Sequence, residues 1–151
     1  MQPEYIEEAK EELKRVDHLI FVSLKYTRTV DVIMSIIERL LSCYDILFTG
    51  LLEQAKEDGK IDVVPATPMV QCETLLKLFD EKQIKPYTDF YILLRKMRRA
   101  KVERYREFRR HVTMAAEVDE KVVEVSIDII SDYFKRVKEF VAFVEADFVE
   151  A

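Results

Sequence analysis

Residues 95–111, RKMRRAKVERYREFRRH, set nine Lys/Arg against Glu103 and Glu107 and end on His111, one of two histidines in the chain. That surplus of seven positive charges stands in a chain of formal net charge −5, so the remaining residues carry −12. Such segregation of sign points to a surface that meets a polyanion or an acidic partner. The histidine adds chemistry. An imidazole titrating near neutral pH can move the proton of a ribose 2′-hydroxyl, and a guanidinium can stabilise charge developing on the adjacent phosphate. Metal-free RNA cleavage needs little more, which makes Arg104, Arg106 and His111 the candidate catalytic residues, with no cofactor or metal expected. On one continuous helix Arg104 would lie about 20° from His111 and Arg106 about 140° round the cylinder, so an intact helix favours Arg104. Arg95, Arg98, Arg99, Lys101, Arg109 and Arg110 are the candidate nucleic-acid contacts. The competing class is a helical interaction module whose basic helix holds an acidic partner or nucleic acid without turnover, its charges satisfied by Arg–Glu pairs.

Other reactive side chains are sparse. Glu103, Glu107 and His111 recur at intervals of four and would share one helix face, but pairing of Glu103 with Arg99 and Arg106, and of Glu107 with Arg110, satisfies the carboxylates more simply than a metal. Cys43 and Cys72 match no metal or redox spacing and read as small apolar core residues. His18 lies near the inward stripe of the first helix and reads as a structural residue. Lys25, Tyr26, Thr27 and Arg28 form either a second phosphate-contacting patch or the polar flank of a helix break. No phosphate loop or nucleotide fingerprint is present.

The spacing of Arg104 or Arg106 to His111 resembles the Arg, four to six residues, His motif of the HEPN superfamily, and Glu117, Val118 and Asp119 opening a long C-terminal helix are similar to that family as well. The likeness covers about 25 residues in the C-terminal third, and Tyr105 or Glu107 stands where many members carry a small polar residue. It implies an all-α fold, a homodimer, and a composite site built from Arg104 or Arg106 with His111 of both chains, as in ribonuclease toxins or their non-catalytic relatives.

The elements that must position these residues follow from periodicity. The 151 residues fit one helical domain spanning 1–151, and two Gly with four Pro leave few tight turns, so long elements are expected. Pro3 can open a first helix with Ile6, Ala9, Leu13, Val16, Ile20 and Leu24 on one stripe. A second stripe runs Tyr26, Val30, Ile33, Ile37, Leu40, Tyr44, Leu47, Leu51 in steps of four and three, and Asp58 with Gly59 ends it. One helix over both would be too long for this domain, which places a break near residues 23–29. Residues 60–67 are a connector, with Thr67 before Pro68 as a cap for a short helix through Phe79. Pro86 and Thr88 start a helix that carries the basic stretch as far as Val112. Asp119 caps a last helix bearing Val123, Ile127, Ile130, Phe134, Val137, Val141, Val144 and Phe148. The fold class is therefore all-α, a bundle of four to five helices with two long heptad-patterned members. Residues 123–129 also alternate as V-E-V-S-I-D-I, so the alternative is α+β with a short strand at 122–129 and Ser131 capping a shorter helix. The heptad seams predict a homodimer. The acidic N-terminus and short apolar runs predict a cytoplasmic protein without membrane contact, and the absence of Asn with abundant Lys, Glu and Arg resembles proteins from hot environments.

Overall fold

In the computed structural model, which describes residues 3–150, Pro3 precedes α1 (Glu4–His18), whose first turn carries Glu4 and Glu7 where the helix dipole favours acids. The expected stripe is buried at Ile6, Ala9 and Val16. The same face takes in Glu12, whose carboxylate is held by Arg15 and by Arg39 at 3.4 Å. A π-helical turn, Leu19–Ser23, then feeds a final turn, α2 (Leu24–Tyr26). The wider turn keeps Ile20 and Leu24 inward and leaves Phe21, Val22 and Tyr26 in solvent.

The break falls at residues 27–29, as the spacing predicts. Thr29 is extended, and its hydroxyl accepts the N–H of Val32 at 3.3 Å to cap α3 (Val30–Glu57). This helix is the axis of the molecule. Ile33, Ile37, Leu40, Tyr44 and Leu47 are fully buried, but so are Ile36, Leu41, Cys43, Phe48 and Leu52, so its apolar surface is far wider than a dimer seam. The chain itself covers it, with α1, α5 (Glu81–Arg99) and α6 (Ile127–Glu150) packed around it. Gly50 is required by the approach of Tyr5, since a Cβ there would lie 2.2 Å from the ring. Gly59, at φ 76°, ends the helix in the left-handed conformation.

Pro68 opens α4 (Pro68–Leu78) behind Thr67, whose side chain makes no capping bond. The next helix, α5, starts before Pro86. Asp80 accepts the N–H of Lys82 at 3.0 Å, and Pro86 lies inside the helix. At its other end α5 stops at Arg99 because Ala100 turns extended, so the helix expected to run to Val112 does not exist. In its place β1 (Val102–Tyr105), β2 (Thr113–Val118) and β3 (Lys121–Val125) form an antiparallel meander in the order β1-β2-β3. Asp119 is not a helix cap. With Glu120 it forms the two-residue turn between β2 and β3, at φ 51° and 66°, the geometry that matches strand twist. The last helix starts at Ile127, where Ser126 accepts the N–H of Ile129 at 3.2 Å, and Ser131 lies within it, donating to the carbonyl of Ile127. The all-α expectation is thus corrected to its alternative. Helix covers 70% of the chain, and of the three strands β3 alone overlaps the stretch where β-branched alternation competed with helical spacing, while β1 and β2 fall at residues with no strand signal in the sequence.

Met114, Ala116, Val118 and Val125 turn one face of the sheet to the core, and Tyr105, Val122 and Glu124 lie on the other. On α6, Phe140 joins Tyr44, Phe48 and Tyr91 in an aromatic cluster with centroids 4.8 to 5.6 Å apart. Phe148, at the end of the expected stripe, lies outside the residues whose side chains are described. Both cysteines are core residues, as expected. Burial pushes the Cys43 thiol up to about 12 and that of Cys72 up to about 11. No described helix is long and apolar enough to cross a membrane.

Three outcomes test this packing. Ile37→Ala should cost about 2–5 kcal/mol in denaturant unfolding, because it empties a fully buried site. Tyr44→Phe should be neutral or stabilising in the same assay, since the Tyr44 hydroxyl is buried with no hydrogen-bond partner among the described residues. With neutral, buried thiols, neither cysteine should react with iodoacetamide at about pH 8 until the protein is unfolded.

Candidate anion site at the hairpin turn

Residues 106–112 join β1 to β2, and their shape is set by contacts with a segment far away in sequence. The Glu107 carboxylate accepts the N–H of Val30 at 3.1 Å, at the N-terminus of α3, where unpaired amides and the helix dipole favour a negative group. The N–H of Phe108 donates to the carbonyl of Arg28 at 2.6 Å. Arg104, on β1, completes the tie, donating to Asp31 at 2.7 Å with its other nitrogen 3.6 Å from Glu107. The hydrogen bond to Asp31 raises the already high pKa of Arg104. To make these contacts the turn adopts left-handed backbone at Arg106, φ 54°, and Phe108, φ 65°, a cost for residues with side chains.

The turn delivers Arg106, Arg110 and His111 to one open cavity of about 440 Å³. Arg28 enters from the break before α3, and Thr113, Ser126, Ile127 and Asp128 complete the wall. Three arginines and one acidic residue, Asp128, line it beside the N-terminus of α6, where amide hydrogens attract anions. The Nε of Arg28 is buried without a hydrogen-bond partner among the described residues, leaving a donor to be satisfied.

The expected site residues are therefore divided. His111 and Arg106 share the cavity, whereas Arg104, the better partner on an intact helix, is drawn into the clamp with Asp31 and Glu107. Of the expected nucleic-acid contacts, only Arg110 lines it. Arg109 and Lys101 are exposed outside it. Arg95 lies over the Tyr91 ring and with Arg99 borders a separate groove beside Pro68 and Met69, while Arg98 reaches Glu38 at 3.5 Å. Lys96 pairs with Asp119 at 2.8 Å. Glu103 accepts from the Tyr105 hydroxyl, raising that phenol's pKa, rather than pairing with Arg99 or Arg106. No described group of three His, Cys, Asp or Glu residues is placed to hold a metal ion.

His18 corrects another expectation. It is exposed and borders a groove of about 730 Å³ between α1 and α3, whose Lys14, Arg15 and Arg39 are engaged by Glu11 and Glu12. Those pairings leave little free charge for a ligand. Arg28, by contrast, joins the hairpin site from the 25–28 cluster, and its signal in sequence was a cation at a helix break. The Glu107 clamp had no local signal. No family model, curated protein or solved structure matches this chain.

Glu107→Ala should lower stability by about 1–2 kcal/mol, the scale of a lost helix cap. The measurement that separates a loosened turn from general weakening is amide exchange, where protection of the Phe108 N–H should fall more than that of buried α3 amides.

Proposed function

We propose that this protein binds RNA by its phosphodiester backbone, seating a phosphate among Arg28, Arg106 and Arg110 with His111 beside it. The convergence of three arginines from two distant segments on one concave site carries the reading. Guanidinium forks match phosphate oxygens, and the α6 N-terminus adds amide dipoles of the same sign. The Arg106–His111 spacing that resembles the HEPN motif supplies two of these groups, here on a turn between strands.

A second reading, metal-independent cleavage, is favoured by His111 lining the same cavity. In that step the imidazole takes the proton of the 2′-hydroxyl, the 2′-oxygen bonds to phosphorus, and the 5′-oxygen leaves with a proton supplied from elsewhere, giving a 2′,3′-cyclic phosphate. One histidine cannot hold both protonation states at once. Because His18 borders another groove, this reading includes a homodimer in which His111 of a second copy is the other proton carrier.

Arg106→Glu combined with Arg110→Glu should abolish binding of single-stranded RNA, while wild-type affinity should fall with salt at a logarithmic slope near −2 if about three phosphates are neutralised. Equal competition by polyglutamate would replace RNA by an acidic protein partner. His111→Ala should leave affinity nearly unchanged and, on the cleavage reading, remove all cutting in the presence of a chelator. Uncut RNA after prolonged incubation with the wild type, or a monomer by sedimentation at micromolar concentration, would leave binding alone.

A further inference from the structure

We infer that the bound strand is single-stranded, with bases flanking the seated phosphate stacked on Phe108 and Tyr26. The inference rests on the phosphate-binding reading above and adds what that reading lacks, a surface for the bases.

Phe108 lies between Arg106 and Arg110 in the turn and is 76% exposed. Its backbone is left-handed, at φ 65°, where glycine would be the unstrained choice. A bulky ring held in solvent on strained backbone contributes no core packing. Folding therefore does not explain its presence, whereas a ligand that covers the ring does. Tyr26 is 80% exposed at the end of α2. The chain segments that carry the two rings meet, because the Phe108 N–H donates to the carbonyl of Arg28, two residues beyond Tyr26. Arg28 thus lines the cavity and, through its backbone carbonyl, holds Phe108.

Exposed rings beside a cationic cavity match the chemistry of an unpaired strand. Its phosphates need the arginines, and its free base faces need flat apolar partners. A duplex hides those faces in its own stack. The charge of the cavity argues against a purely apolar partner for the rings.

The test measures anisotropy with three probes: a labelled single-stranded RNA of about twelve nucleotides, within the span of known single-strand sites, the same sequence as a duplex, and inorganic polyphosphate of matched charge. Wild type should prefer the single strand to both other probes. Phe108→Ala should weaken single-strand binding about 5- to 150-fold, as expected for one lost base stack, and leave polyphosphate binding unchanged. Tyr26→Ala should act in the same direction, and Phe108→Trp should retain affinity. Because both rings are exposed, thermal melts should confirm that the variants remain folded.

Phe108→Ala without effect on single-strand affinity, equal losses for RNA and polyphosphate, or a duplex bound as tightly as the single strand would each overturn the stacking inference. They would leave the phosphate site standing, provided Arg106→Glu still weakens polyphosphate binding. If wild type binds neither RNA nor polyphosphate, or Arg106→Glu changes neither affinity, the phosphate reading falls and the stacking inference falls with it.

Discussion

The carboxylate of Glu107 sits on the N-terminus of α3, and the candidate site depends on that contact. A helix start leaves amide hydrogens unpaired, and here Thr29 and Glu107 divide the work, one accepting from Val32 and the other from Val30. Once Glu107 is fixed there, Arg104 is drawn to Asp31 and Glu107, and Phe108 is close enough to bond Arg28. The residues left over, Arg106, Arg110 and His111, border the cavity on the other side of the turn. The left-handed backbone at Arg106 and Phe108 is the strain that accompanies this arrangement.

This division gives the arginines different tasks. Arg104 is paired with carboxylates and so ties the sheet to the helical body. Arg28, Arg106 and Arg110 share a cavity in which Asp128 is the single acidic wall residue, so much of their charge stays available to an anion. The cations on α5 are dispersed, with Arg98 on Glu38 and Arg95 on the Tyr91 ring. A run of charge that is continuous in sequence therefore becomes a helix end, an edge strand and a loop.

The charged edge strand is why this stretch has the sequence pattern of a helix. β1 pairs only with β2, and a charged edge is the usual protection against unwanted strand pairing. Glu103 and Arg104 on such a strand are indistinguishable by composition from a solvated helix face. Arg104 pairs in register with Met114, which is buried, but at the edge its long side chain reaches past the sheet to Asp31. The helical spacing of Val123, Ile127 and Ile130 is likewise compatible with both outcomes, because Val123 and Val125 also satisfy a period of two.

Sequence alone determined the helical body. The four and three spacing from Val30 to Leu51, the break before it, Gly59 after it and Pro68 opening α4 are local signals, each acting through a neighbouring backbone bond or a stripe one helix turn wide. The fate of Cys43 and Cys72 was legible for a different reason, since cysteines with no metal or redox spacing are most simply small apolar core residues. For the site, the sequence offered Arg104 or Arg106 with His111 and helix geometry favoured Arg104, whereas the cavity is lined by Arg106 and His111. Tertiary structure alone decided that the basic stretch folds as a hairpin, that Arg104 leaves the site, and that Arg28 enters it. Those outcomes rest on bonds between Val30 and Glu107, 77 residues apart, and between Arg28 and Phe108, 80 residues apart, whose energy belongs to no local window of the chain.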